Sequence, residues 1–438
     1  MLARQRIVII GGGFGGAYCA QELEKRLRPG HGADILLINP TNYFIFTPLL
    51  MEAGTGSLEP RHAVVSLRSF IKSSSFKMGR LTTLDIAHQQ IEVQLSSSEL
   101  KLTVPYDHLV LALGSVTNLP DVPGLIEYGY EMKSLSDAVA LRDRAIHMLE
   151  LAEAAGDPEL SRRLLHFVVV GGNFSGVEVA GELHEYLQTA SKVYPSLHPA
   201  DCQVTLLERG DAILDPLGPE LGSYAARKMQ KRGIDIRFGE TATSIEPERV
   251  ILQSGEILDT DTVIWCAGVA PQSCLKHADL PSDNRGYILT ERNLKVRGHD
   301  NVWAIGDCAV NHDPHGRAYP ATAQHAVAQG KHLARNLAAV LQGAEPTDCN
   351  IMNRGSLAAL GCRTGVARMF GIKISGFLAW WLWRTVYLLK MPGWWRRLRV
   401  ALDWTLDLFT RRDVVQLSLH GTRRSTSRET EDQAAQAF

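Results

Sequence analysis

The 438-residue chain carries a formal charge of −1 at pH 7, with 46 Lys and Arg against 47 Asp and Glu, so it offers no global basic field for nucleic acid. Its length calls for two or three domains, with ample apolar content for their cores. Seven cysteines at 19, 202, 266, 274, 308, 349 and 362 form no close pair, which argues against a disulfide framework, a zinc site of common spacing or a redox-active dithiol. They read instead as small buried thiols in a reducing compartment. With only a few residues before the first strand, no cleaved leader is expected. No apolar run reaches the roughly 18 residues needed to span a bilayer, so the chain is expected not to cross a membrane.

Residues 6–10 read as a buried parallel strand, and Gly11-Gly-Gly13-Phe14-Gly15-Gly16 as the turn into a helix over 17–27. Gly11 permits the tight turn, Gly13 lets phosphates approach the main chain, and Gly16 lets the helix pack on the strand. Ile35-Leu-Leu-Ile-Asn39 closes a βαβ unit. Asn39 stands where an acidic residue would usually take the ribose hydroxyls, and its amide can still hydrogen-bond there. Residues 76–104 show short alternating runs broken at Gly79, Asp85 and Ser97, the pattern of an antiparallel meander. Residues 107–114 return to a buried strand that ends at Gly114.

Residues 137–163 form a charged helical segment, with Gly156-Asp-Pro158 marking a boundary. A second βαβ unit follows: a strand over 165–170, the turn Gly171-Gly-Asn173-Phe-Ser175-Gly176, a helix over 177–187 and a strand over 203–208. Asn173 replaces the middle glycine, so its Cβ is expected to intrude on a pyrophosphate, although Asn tolerates left-handed backbone. A degenerate turn without nucleotide is the alternative. Glu208 suits both ribose hydroxyls and repels a 2′-phosphate, which favours NADH over NADPH. Residues 262–268 close this domain at Gly268, as 107–114 close the first. Two such turns 160 positions apart point to two dinucleotides with electron transfer between them.

Residues 301–307 form a further strand that ends in Gly306-Asp307. A carboxylate there suits the ribityl chain of a flavin whose pyrophosphate sits on the first turn; an ordinary helix N-cap is the alternative. A helix over 318–341 carries Ala323-Gln324-His-Ala-Val-Ala-Gln329. The two glutamines lie about 140° apart on such a helix, so spacing alone reads as an Ala-rich packing helix with solvent-facing amides.

Residues 350–420 are compositionally distinct and hold six of the eight tryptophans: 380, 381, 383, 394, 395 and 404. The run Phe377-Leu-Ala-Trp-Trp-Leu-Trp383 meets Arg384 too soon for a spanning helix, and 394–409 carries a polar stripe at Arg396, Arg399, Asp403 and Asp407. From 380 to 413 there are seven basic residues against three acidic, which fits helices lying in an anionic membrane interface. A dimer interface or a domain-covering pair is the alternative. Residues 421–438 are polar without an apolar period and are expected to be disordered.

Taken together, the 11–16 turn, Phe46-Thr47-Pro-Leu-Leu50, Gly172-Asn-Phe-Ser-Gly-Val-Glu178-Val-Ala-Gly-Glu182, Ala304-Ile-Gly-Asp307 and the 323–329 run resemble the type II NADH dehydrogenases. These are single-subunit, non-proton-pumping NADH:quinone oxidoreductases. The resemblance extends over about residues 5–420. It implies an α/β fold of two Rossmann-like domains, an FAD domain (1–125 and 290–345) interrupted by an NADH domain (160–285). A C-terminal amphipathic helical membrane region (350–420) completes it, leaving 421–438 as a tail.

The resemblance further implies FAD against Gly11, Gly13, Phe14, Gly15, Gly16, Asn39, Phe46, Thr47, Leu81, Gly114, Asp307 and Ala323. NADH would lie on Gly171, Asn173, Ser175, Gly176, Glu208 and Gly268. Glu178 is implied to face the nicotinamide, positioning NADH or relaying a proton. Gln324 and Gln329 become quinone-site residues, and Lys390 brings a cation toward flavin or quinone oxygens. The quinone, ubiquinone or menaquinone, enters from the membrane; Met51 stands where many relatives have His. The implied location is peripheral, on the cytoplasmic face of the inner membrane, with a homodimer left open. A sulfide:quinone oxidoreductase is the nearest rival and needs a cysteine pair near the flavin. A membrane-associated flavin- or NADH-binding sensor is the rival from another class.

Overall fold

The computed structural model describes residues 4–27, 33–276, 278–410 and 412–416. The expectation for 421–438 lies outside the described residues. The chain runs through strand β1 (Gln5–Ile10), helix α1 (Phe14–Arg26), strand β2 (Ala33–Asn39) and the short helix α2 (Leu50–Gly54). A second strand–helix–strand run follows as β3 (His166–Val170), α3 (Phe174–Ala190) and β4 (Gln203–Glu208). Then come helix α4 (Ala323–Val340), strand β5 (Gly355–Ala359) and helices α5 (Phe377–Lys390) and α6 (Trp394–Leu406), with further strands between these elements.

Two compact units emerge. The first takes the described residues within 1–45, 64–118 and 269–353. Its seven-stranded sheet has the order Val302–Ala304, His108–Leu111, β1, β2, Ser75–Asp85, Gln90–Leu95, Lys101–Pro105. The strands from 302 to 85 in that order pair in parallel, and the last three form the expected antiparallel meander. Alternate residues of β1 feed two cores. Ile7 and Ile9 pack with Leu23, Leu333 and Leu337 from α1 and α4, while Val8 and Ile10 pack with Leu36, Ile38 and Val302. Both faces are thus covered, as a parallel sheet requires, and each buried Ile contributes about 1.5–3 kcal/mol.

The second unit takes the described residues within 46–63, 119–268 and 354–438. Its five-stranded sheet runs Gly129–Glu131, Thr262–Trp265, β3, β4, Ile234–Phe238, parallel throughout. The turn-bearing strand again sits between its successor and the strand that closes the domain, so the two sheets repeat one plan.

Three details depart from the sequence reading. Gly79 lies inside the strand Ser75–Asp85; a Cβ there would come within 2.5 Å of Val93 Cγ1, so this glycine serves close strand packing rather than a break. Helix α4 starts at Ala323, not 318, because Pro320 precedes it and Thr322 caps it by accepting the His325 N–H. The 350–420 region is not helical throughout: β5, Gly365–Met369 and Ile372–Gly376 form an antiparallel sheet ahead of α5.

Candidate functional site

In the first unit the carboxyl ends of three neighbouring parallel strands meet, the usual ligand crevice of a doubly wound sheet. Gly11 adopts φ +103°, where a Cβ would lie 2.1 Å from Ala112 O, and a Cβ on Gly16 would lie 1.9 Å from Gly11 O. Both positions therefore demand glycine. A Cβ on Gly13 would meet nothing within 4 Å; it would point into open space beside the start of α1. That helix begins after glycine, so no side chain caps it, and its first N–H groups are open to an anion.

Asn39 holds the turn by accepting the Gly12 N–H at 2.8 Å, while its amide donates to Thr41 O at 2.8 Å. Gly114 takes φ +65° with open space at its Cβ position. Its neighbour Ser115 donates to Asp307 Oδ2 at 3.2 Å. Gln329, buried on α4, accepts the Gly306 N–H at 2.7 Å, which pins the Gly306-Asp307 turn and leaves the Gln329 amide as a donor. Helices α1 and α4 touch main chain to main chain: a Cβ on Gly330 would lie 2.3 Å from Gly15 O. Ala323 and Gln324 are half-buried in the first turn of α4. Leu81 buries its side chain in the core, so what it offers a ligand is main chain. The space a Cβ at Gly13 would enter, the uncapped helix start and the backed carboxylate of Asp307 fit the pyrophosphate and ribityl chain of FAD.

The second unit repeats the turn with one change. Gly171 adopts φ +110°, and a Cβ on Gly176 would lie 1.8 Å from Gly171 O. Asn173 is the N-cap of α3, with φ −75° and ψ −177°. This is extended backbone, so the left-handed tolerance of Asn is not called upon. Its side chain folds back: Oδ1 accepts the Gly176 N–H at 3.0 Å and Nδ2 donates to Cys266 O at 2.7 Å. Glu208 accepts the N–H groups of Gly172 and Gly210, each at 2.6 Å, the counterpart of Asn39. Ser175 is exposed, and Gly268 turns at φ +77° beyond the closing strand.

The same unit holds Phe46 and Thr47 on the approach to α2, the first buried and the second exposed. Met51 is buried in the core. Glu178, on the second turn of α3, accepts the Ala359 N–H from β5 at 3.2 Å. Burial pushes its carboxyl up to about 8, against the pull of the Ala359 N–H and the Trp383 indole. Lys390 ends α5 with its ammonium 5.8 Å from the Tyr387 ring; partial burial, and then Arg354, lower its affinity for a proton.

Sequence reasoning missed the buried charges around these residues. Glu52 sits inside α2, and burial raises its carboxyl despite Arg384 and Trp404. Arg412 lies 3.7 Å from Glu182, 3.6 Å from Glu185 and 3.2 Å from Asp407. Charged residues within apolar runs, as in Leu50-Met-Glu52-Ala and Trp383-Arg384, were the available signal. All seven cysteines are free, five of them buried. Among the described residues no group of His, Cys, Asp and Glu could hold a metal ion, and no helix is long and apolar enough to cross a membrane.

Residues 5–330 match the family model of the pyridine nucleotide-disulphide oxidoreductases, and 353–413 match that of the NDH2 C-terminal domain. Type II NADH:quinone oxidoreductase Ndh of Mycobacterium tuberculosis is 29% identical over 431 residues, covering 95% of this chain and 90% of that protein. Demethylphylloquinone reductase NdbB of Synechocystis is 32% identical over 409 residues, covering 92% and 96%. Among solved structures, NDH2 from Plasmodium falciparum in complex with NADH superposes with a TM-score of 0.88 at 20% identity, covering 94% of this chain and 100% of that one. At that identity the match establishes the fold.

Proposed function

Because the chain belongs to the pyridine nucleotide-disulphide oxidoreductases, in their type II NADH:quinone oxidoreductase branch, we propose that it oxidises NADH through bound FAD and reduces a membrane quinone by two electrons. The duplicated glycine turn, one copy in each sheet, is the observation that carries this reading. The reading is of the non-pumping type, and no helix among the described residues is long and apolar enough to cross a membrane.

Bound FAD supplies the step between hydride donor and electron acceptor. The protein's part is binding, orientation and proton supply. In the first unit the open N–H groups at the start of α1 would hold a pyrophosphate, Asn39 would face the ribose, and Asp307 would accept from the ribityl hydroxyls. In the second, the N–H groups of the 171–176 turn hold the NADH pyrophosphate. The carboxylate of Glu208 takes the ribose hydroxyls and disfavours a 2′-phosphate. Glu178, with its carboxyl raised to about 8, is protonated at neutral pH and can donate to a reduced acceptor. Lys390 offers a cation to developing negative charge. Gln324 and the free amide of Gln329 are donors for a quinone carbonyl.

Helices α5 and α6 supply the surface for a membrane partner. Phe377, Leu378, Trp381 and Leu389 on α5 are exposed, as are Trp394, Trp395, Leu398, Leu402 and Leu406 on α6. Aromatic and aliphatic faces flanked by Arg suit an anionic interface, which supports a peripheral membrane location; the face we propose is the cytoplasmic one of the inner membrane. The test is steady-state NADH consumption by the FAD-loaded chain in detergent, with and without a short-chain quinone. Quinone-dependent turnover is expected; NADH consumption indifferent to quinone would overturn the reading.

A further inference from the structure

We propose that Glu52 and Arg384 are positioning residues for the acceptor half of the reaction, a role that rests on the NADH:quinone reading above. Glu52 is 5% exposed. Its Oε2 accepts the Trp404 indole N–H at 2.7 Å, and its Oε1 lies 3.5 Å from Arg384 Nη2. The Arg384 guanidinium lies 4.4 Å from the Trp380 ring centroid and 4.7 Å from that of Trp404. A planar cation between two indoles, facing a buried carboxylate, fixes direction as well as distance, which a lysine ammonium does not.

This box ties one segment to two helices. Residues 46–63, which include α2, belong to the second unit. Arg384 and Tyr387 of α5 grip that segment, the latter edge-on to Phe46 with ring centroids 6.3 Å apart. Helix α6 grips it through Trp404 and through Asp403, which accepts the Glu59 N–H at 3.3 Å and pairs with His62 Nδ1 at 2.5 Å. The outer faces of α5 and α6 are the exposed Trp and Leu surfaces already described. Helices that seat in an interface on one side therefore hold Phe46, Thr47 and Pro48 on the other, beside the Tyr387 and Lys390 end of α5. Neither Glu52 nor Arg384 needs to touch a substrate; they set where Phe46 and Lys390 stand.

The test compares FAD-loaded Glu52→Gln and Arg384→Lys with the unmodified chain, using NADH with ferricyanide and NADH with a short-chain quinone as two acceptors. Arg384→Lys keeps the charge but loses the planar stack. NADH:ferricyanide turnover is expected within about twofold of normal, while the quinone KM rises about tenfold or more, the scale of a displaced positioning group. Hydrogen–deuterium exchange gives a readout independent of turnover: peptides covering 46–63 should exchange faster in both variants, with β1 to β4 unchanged. Parallel loss with both acceptors, or unchanged quinone KM and exchange, would overturn the positioning role. Absence of quinone turnover in the unmodified chain would overturn the function itself, a separate outcome.

Discussion

Asn173 and Gly13 hold the same main-chain conformation in the two turns, φ −75° and ψ −177° against φ −73° and ψ −161°. The difference between them is where the side chain goes. Asn173 turns back onto Gly176 and Cys266, so it caps α3 rather than filling the space over the turn.

Restoring the glycine should therefore not improve nicotinamide binding. Asn173→Ala is expected to cost about 0.5–2 kcal/mol of stability and Asn173→Gly only a few tenths. The KM for NADH should not fall in either. A KM that drops severalfold in Asn173→Gly, measured beside its thermal midpoint, would mean that the amide does obstruct the site.

Two alanine substitutions in the first turn should separate folding from binding. Gly16→Ala drives a Cβ to 1.9 Å from Gly11 O, an overpacking expected to cost about 1–3 kcal/mol or more. Gly13→Ala meets no protein atom within 4 Å and exchanges a glycine N-cap for the poorer alanine, so the thermal midpoint of the FAD-stripped chain should fall less than in Gly16→Ala while FAD retention falls. Full FAD content in purified Gly13→Ala would place the pyrophosphate elsewhere.

Glu178 should give the reaction a pH dependence of known sign. Burial raises its carboxyl to about 8, so between the ordinary carboxyl range and that value the folded chain holds a proton that the unfolded chain has lost. Stability then falls as pH rises through this window, and any step that uses the protonated carboxyl weakens above about 8. Glu178→Gln should reduce the thermal-midpoint slope, part of which remains because burial also raises Glu182 to about 8, and should flatten the alkaline limb of quinone turnover. Identical slopes in variant and parent would remove Glu178 from proton supply.

Membrane affinity should reside in the outward face of α6. Trp394 and Trp395 are 62% and 65% exposed, so their replacement by alanine should leave the fold and the NADH:ferricyanide reaction intact. Partition onto anionic vesicles should weaken by about tenfold, the scale of losing two interfacial indoles. Equal co-sedimentation with vesicles would contradict this.

Much of this was legible in the sequence because it depends on local rules. The glycines at 11, 16, 171 and 176 announce contacts that exclude a Cβ, and the alternating meander announces its pairing. The C-terminal sheet escaped notice because its turns, Gly361-Cys-Arg-Thr364 and Phe370-Gly371, stand next to a Trp-rich run whose amphipathic signal is stronger. The box around Arg384 escaped for a different reason. Its members, Glu52, Trp380, Arg384 and Trp404, are up to 352 positions apart, and no periodicity links residues that only tertiary packing brings together. Asn173 shows the converse: its identity was plain, but its effect depended on a rotamer.

The most direct test of the central claim is anaerobic stopped-flow absorbance of the FAD-loaded chain, mixed first with NADH and then with a short-chain quinone. Rapid loss of the oxidised-flavin band on NADH addition, and its return on quinone addition at a rate that supports steady-state turnover, is the predicted result. A band that NADH leaves intact, or that bleaches and does not recover with quinone, would contradict it.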